Sequence, residues 1–301
     1  MNIAVIGGTG FVGRCLVQTL ARGGHGVTVI STSAGAMAPI DRHVNMIGAD
    51  TTRAGKWQDA LAGVDVVINL AGRTIFKRWT DAYKKQLHDS RILTTRNIVQ
   101  ALSSHPQTQL LNASAVGYYG QKQCLDACVE SSPAGNGFLA QLSVDWESEA
   151  NALTENGNRV ALMRFGVVLG TGGGAYAQMR PAFRLGLGGP LGSGKQWFPW
   201  IHEQDLVSAV CFLLSHDDLT GAFNFVAPHR VTQREFAKTL ASALNRPAIV
   251  PAPSLVLRLA LGEMASVLLT GQPVVPERLL SAGFAFKFGR LRSALESLAM
   301  S

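Results

Sequence analysis

Ile3-Ala4-Val5-Ile6-Gly7-Gly8-Thr9-Gly10-Phe11-Val12-Gly13 stands near the start of the chain. Four apolar residues predict a buried strand, and the glycines that follow predict a tight turn. From Phe11 to Ala21 the residues Val12, Leu16 and Leu20 fall on one helical face. The glycines match both GxxGxxG (Gly7, Gly10, Gly13) and GxGxxG (Gly8, Gly10, Gly13). In a strand–turn–helix context this pattern is a dinucleotide-binding fingerprint. Residues without Cβ let a pyrophosphate approach bare backbone, and the helix N-terminus offers unpaired N–H groups. Gly7, Thr9, Gly10, Phe11, Val12 and Gly13 are therefore candidate cofactor contacts.

Beyond this segment strand and helix alternate. Apolar runs at Val27–Ile30, Val44–Ile47, Val64–Leu70, Leu110–Ser114, Val160–Val168 and Phe223–Val226 predict strands. Helices are expected at Trp57–Leu61, Ser90–Leu102, Leu139–Thr154, Ala175–Arg184 and Asp205–Ser215. Unbroken Val/Ile/Leu strands joined by helices imply an α/β fold, with a doubly wound parallel sheet covered on both faces. Residues 170–199 are rich in glycine, and a long ordered segment of that kind points to function on the substrate side. Thr232 with Glu235 forms a capping box that opens a helix to Leu244, and proline-delimited helices follow at Leu255–Leu261 and Pro276–Leu280. The expected division is a nucleotide-binding domain over 1–228 and a smaller, mostly helical substrate lobe over 229–301.

Composition narrows the class. The chain has 301 residues, 47% hydrophobic and 16% charged, which suits a globular enzyme. The net charge of +7 is dispersed, apart from Lys77-Arg78 and Lys84-Lys85. It favours phosphorylated small molecules over nucleic acid. No segment reaches the 18 or so consecutive apolar residues of a membrane span, and no signal peptide is evident, so a cytoplasmic protein without a membrane partner is expected. Cys15, Cys124, Cys128 and Cys211 form neither a redox pair nor a zinc site, and no metal is expected.

The second strand ends in Ser31-Thr32-Ser33, where NAD-preferring sites carry an acid, and the first acid beyond it is Asp41. Hydroxyls, with Arg42, would accept a 2′-phosphate, which favours NADP over NAD; alternatively the three residues are only a polar loop. Asp50 is a candidate for the adenine amine or for capping the next turn.

Asn69-Leu70-Ala71-Gly72 ends the fourth strand and Ser114 the fifth. With the glycine loop, they resemble the extended short-chain dehydrogenase/reductases. Four further strings resemble their atypical "epimerase family" members, related to nucleoside-diphosphate-sugar epimerases. These are Arg78-Trp79; Ser90-Arg91; Gly186-Leu187-Gly188-Gly189-Pro190 with Phe198-Pro199-Trp200-Ile201-His202; and Leu269-Thr270-Gly271-Gln272 with Pro276-Glu277-Arg278-Leu279. The resemblance implies a Rossmann-type domain, a C-terminal substrate lobe and a nicotinamide cofactor touched by Leu70, Ala71 and Gly72. It also implies a Tyr-x-x-x-Lys pair near position 138, but Phe138 and Leu142 stand there. Ser114, Tyr118 and Tyr119 are the candidate catalytic groups, although Tyr119-Gly120 also reads as a packed turn. Arg78, Arg91, Lys195, Trp200 and His202 are candidate substrate-side residues. Surface ion pairs for the arginines, a solvated loop for Lys195 and a structural role for His202 are the alternatives. An NADP-dependent oxidoreductase or epimerase-like enzyme on a small carbonyl or nucleotide-sugar substrate is expected, with a non-catalytic NADP-binding regulator as the alternative. A homodimer is left open.

Overall fold

The computed structural model describes residues 1–34, 40, 42–120, 127–248 and 250–300; Asp41 and Cys124 lie outside them. The opening apolar run forms β1 (Asn2–Ile6), and Phe11–Arg22 forms α1. Then come β2 (Gly26–Ser31), β3 (Val44–Gly48), β4 (Val66–Asn69), α2 (Asp81–Leu102), β5 (Gln109–Ala115), α3 (Phe138–Asn151) and β6 (Val160–Phe165). The chain continues through β7 (Val167–Gly170), α4 (Gly174–Arg184), β8 (Trp200–His202), α5 (Glu203–Leu214) and β9 (Gly221–Phe225). Helices α6 (Gln233–Ala243), α7 (Ser254–Leu261), α8 (Ala265–Leu269), α9 (Glu277–Ser281) and α10 (Leu291–Met300) complete it.

Seven strands pair in parallel in the order β3-β2-β1-β4-β5-β6-β9. Both faces of β1 are buried. Ile3 and Val5 enter a core with Leu16, Val17 and Leu20 of α1 and Leu206 of α5, while Ala4 and Ile6 enter another with Ile98 and Leu102 of α2. Each such valine, leucine or isoleucine side chain contributes roughly 1.5–3 kcal/mol by leaving water. Strand order reverses between β1 and β4, so a crevice opens beyond their carboxyl ends, where doubly wound sheets bind ligands.

Two elements differ from expectation. Helix α2 begins at Asp81 rather than Ser90, capped by Thr80 Oγ1, which accepts from Tyr83 N at 3.2 Å. Its first two turns are polar and bury only Leu87, so they lack the apolar periodicity of the later turns. The expected strand 160–168 breaks at Gly166. Gly166 N bonds to Phe225 O, whereas Val167 N turns to Pro199 O and starts a second, two-stranded sheet, β7 with β8. A Cβ on Gly166 would stand 2.8 Å from Pro199 O. A further core joins Leu169, Tyr176, Phe183 and Trp200 to Phe236 and Leu240 of α6 and Leu295 and Leu298 of α10. It thus draws on residues either side of position 228. Among the described residues no helix is long and apolar enough to cross a membrane.

Candidate functional site

Gly7 leaves β1 with φ +77°, and its N–H bonds to Ile30 O at 2.8 Å. A Cβ there would lie 2.9 Å from Ala71 N, so the glycine loop and the residues after β4 touch backbone to backbone. At Gly13 a Cβ would fall 2.7 Å from Gly7 O and Gly8 Cα. Gly10 is the N-cap of α1 and no side chain caps it, so the first N–H groups of the helix are left for a ligand. No acidic residue sits in the first turn to oppose an anion. Phe11 folds back over the turn after β7, where a Cβ on Gly173 or Gly174 would lie 2.8 or 2.9 Å from its ring. The glycines at 173 and 174 thus seat the residue that opens α1.

Thr9 Oγ1 is hydrogen-bonded to Ser31 Oγ at 2.7 Å and Ser33 Oγ at 2.9 Å, giving a cluster of hydroxyls at the end of β2. Arg14 Nε donates to Thr9 O at 3.0 Å and brings a cation to the same rim. Arg14 was missed by the sequence reasoning. Its signal was its place directly after Gly13, one turn from the helix N-terminus. Thr32 is exposed beside this cluster.

Arg42 corrects an expectation. It precedes β3, which runs parallel to β2 with Val44 beside Val27. Arg42 therefore sits at the amino edge of the sheet, about 13 Å of strand from Ser31, and bonds to His43 Nε2 at 2.8 Å. Asp50 lies at the carboxyl edge. Its Oδ1 accepts from Thr52 Oγ1 at 2.7 Å and Thr52 N at 3.1 Å, and these bonds hold its pKa below the usual value.

Beyond β4, Asn69 Oδ1 accepts from Ala71 N at 3.1 Å and its Nδ2 donates to Thr95 and Asn112, which fixes Leu70, Ala71 and Gly72 at the crevice. Arg91 lies against Gly72, where a Cβ would be 3.1 Å from the guanidinium. It donates to Leu87 O and Arg73 O, both at 3.1 Å, and stands over the Trp146 ring. Burial pushes its pKa down to about 10. Among the described residues no carboxylate pairs with it, so a cation remains beside the crevice.

The three candidate catalytic hydroxyls have different surroundings. Ser114 Oγ donates to Glu147 Oε1 at 2.6 Å in the interior. Glu147 also accepts from Arg164 Nε and Nη2, each at 2.8 Å, a buried bidentate pair. Burial works against the charge of Arg164, but the bonds and charge of Glu147 outweigh it and hold its pKa above the ordinary value. Arg164 Nη1 donates to the Tyr119 hydroxyl at 3.0 Å, which donates to Asn224 Oδ1 at 2.7 Å. Burial raises the Tyr119 pKa to about 12. Tyr118 is half-buried with its ring 3.5 Å from Arg164 Cζ, and its hydroxyl makes no hydrogen bond among the described residues. Glu147, Arg164 and Asn224 carried no sequence signal, because they come from separate elements that meet only in the fold.

Phe138 and Leu142 occupy one turn of α3. The Phe138 ring meets Trp79 edge-on at 5.2 Å, and Leu142 is buried with Trp79, Leu87 and Met264. The slot for a Tyr/Lys pair is therefore apolar core between α2 and the C-terminal helices. Trp200 and His202, expected on the substrate side, are both buried. All three residues of β8 are buried; Trp200 Nε1 donates to His229 O, and His202 Nδ1 accepts from Gln204 N to cap α5. Burial, aided by Lys287, lowers the His202 pKa to about 4. Arg78 is exposed beside Gly262, and Lys195 is exposed on the glycine-rich segment.

The model of the NAD dependent epimerase/dehydratase family matches residues 3–225, and a domain of unknown function, DUF1731, matches 252–298. The mouse epimerase family protein SDR39U1 is 40% identical over 305 residues, 99% of each chain. The chloroplastic SDR39U1 homolog of Arabidopsis thaliana is 40% identical over 303 residues, 99% of this chain and 86% of its own. The crystal structure of human epimerase family protein SDR39U1 with NADPH superposes with a TM-score of 0.88 at 37% identity, covering both chains fully. A nucleoside-diphosphate sugar epimerase from Corynebacterium glutamicum gives 0.80 at 27% identity, over 99% of this chain and 58% of that one.

Proposed function

Since the chain belongs to the NAD dependent epimerase/dehydratase family, we propose that it binds NADPH in the crevice and reduces a small carbonyl-bearing substrate. The observation that carries the proposal is the glycine loop itself. Positions 7 and 13 have no room for a side chain, and the start of α1 is uncapped. The residues present fit a dinucleotide: the N–H groups of α1 would hold the diphosphate, and Leu70, Ala71 and Gly72 would border the nicotinamide half. Thr9, Ser31, Ser33 and Arg14 would receive a 2′-phosphate, which a carboxylate would repel. The human relative crystallised with NADPH supports that preference. Asp50 would approach the adenine amine with the oxygen not committed to Thr52.

When bound, the cofactor supplies a hydride to the carbonyl carbon. This chain must then deliver a proton to the carbonyl oxygen, and Tyr118 is assigned that role. Ser114 and Tyr119 are spent on Glu147, Arg164 and Asn224, and they act by holding the segment that carries Tyr118. Arg91 is assigned to an anionic group of the substrate.

A second reading, an NADPH-binding regulator without turnover, is favoured by one observation: Phe138 and Leu142 are packed as core where the proton-relay pair would be. Titration with NADPH and NADH, followed by NADPH oxidation against a panel of carbonyl compounds, tests both. Tighter NADPH binding with turnover lost in Tyr118→Phe is the expected result. Binding without turnover on any compound transfers the site to the regulator, and no binding of either cofactor removes both readings.

A further inference from the structure

The C-terminal lobe carries a feature that cofactor chemistry does not use. Helix α7, Ser-Leu-Val-Leu-Arg-Leu-Ala-Leu, is apolar on nearly every side yet has no buried residue, whereas α1 buries four. Leu255, Val256 and Leu259 expose 67%, 56% and 73% of their surface. Leu185 and Leu187, just after α4, expose 74% and 60%, and Val250 exposes 44%. Three contacts bring these segments side by side. Arg246 Nε donates to Arg184 O at 2.8 Å, Val250 N to Gly188 O at 3.3 Å, and Ala252 N to Pro190 O at 3.0 Å. Helix α7 begins two residues later. Six protruding aliphatic side chains therefore share one region, and an apolar patch of that kind marks an interaction surface.

The charge of the same segments says what fits it. Residues 171–202 contain no acid and three cations, Arg180, Arg184 and Lys195. Residues 236–262 contain no acid and three more, Lys238, Arg246 and Arg258. Arg184, Arg246 and Arg258 are exposed and enter no ion pair among the described residues. A second copy of the chain would oppose like charges across a two-fold axis, which is unfavourable. Exposed aliphatic side chains on segments that also expose Arg184, Arg246 and Arg258 match the acyl boundary and negative headgroups of a lipid surface.

We propose that this face docks onto bilayers containing anionic phospholipids, with the leucines of α7 and of the Leu185–Leu187 turn entering the headgroup layer. Such docking lies on the membrane and needs no spanning helix.

The test is co-sedimentation of the full chain with vesicles of phosphatidylcholine, alone or mixed with phosphatidylglycerol. Partition should be at least about tenfold stronger onto the mixed vesicles. Salt should weaken it, as should Arg258→Glu, and the pair Leu255→Asp with Leu259→Asp should abolish it. These positions are exposed, so unchanged thermal melting controls for folding. Equal partition onto both vesicles, or full binding by the Asp variant, would overturn the proposal. So would a lipid-free dimer dispersed by the same substitutions, which would give the face to a second copy.

Discussion

Ser31→Asp probes the assignment of the 2′-phosphate most directly. Ser31 Oγ lies 2.7 Å from Thr9 Oγ1, so the new carboxylate would stand among the hydroxyls assigned to the phosphate. Two unit charges at 4 Å repel by about 1 kcal/mol in bulk water and by roughly 4 kcal/mol near a protein surface. The dissociation constant for NADPH should therefore rise between about fivefold and roughly seven-hundredfold, since 1.4 kcal/mol is a factor of ten. NADH lacks the phosphate, and its ribose hydroxyls can donate to the carboxylate, so its affinity should hold or improve. Titration following nicotinamide fluorescence measures both, and added salt should shrink the NADPH penalty because the rim is open to solvent. An equal loss for the two cofactors would mean the loop had been distorted. An unchanged affinity for NADPH would mean the phosphate does not lodge at the end of β2. Either result refutes the assignment.

Three further expectations concern the interior. Glu147→Gln leaves the Arg164 guanidinium buried without its carboxylate and should cost about 3–5 kcal/mol in denaturant unfolding; an unchanged midpoint would show the pair contributes nothing net. Phe138→Tyr combined with Leu142→Lys restores the relay pair on paper, but it drives an ammonium among Trp79, Leu87 and Met264. That variant should lose several kcal/mol of stability and gain no NADPH oxidation, and melting and turnover assays check both halves. The His202 pKa falls from 6.5 to about 4 on folding, with burial the main cause. Between those pH values the unfolded chain holds a proton that the folded chain does not, so stability is full above the window and falls by about 3 kcal/mol as pH drops through it. Unfolding followed across the window should show His202→Asn, which keeps a capping acceptor, to be less pH-sensitive than the parent.

The glycine loop, the alternation of strands and helices and the uncharged end of β2 were legible in the sequence because each depends on neighbours along the chain. A residue without Cβ at Gly7, an apolar run at Ile3–Ile6 and a hydroxyl at Ser31 have the same meaning in almost any parallel sheet. The break at Gly166 was not legible, since Val167 is as apolar as Phe165 and only the approach of Pro199 O draws it out of the sheet. The first turns of α2 escaped because polar residues on an exposed helix carry no period.

Which hydroxyls are taken up by buried partners follows from the packing of distant segments. Ser114 and Tyr119 resemble catalytic groups in sequence, but they end inside a network with Glu147, Arg164 and Asn224 that assembles from β5, α3, β6 and β9. Trp200 and His202 went the same way, into the core, because β8 is covered on both faces. Arg42 lies at the wrong edge because parallel strands put their amino ends together, far from the turn where β1 meets α1. Local sequence sets what each segment can be. Which side chains meet a ligand depends on the packing of segments distant in the chain, and no local pattern encodes that.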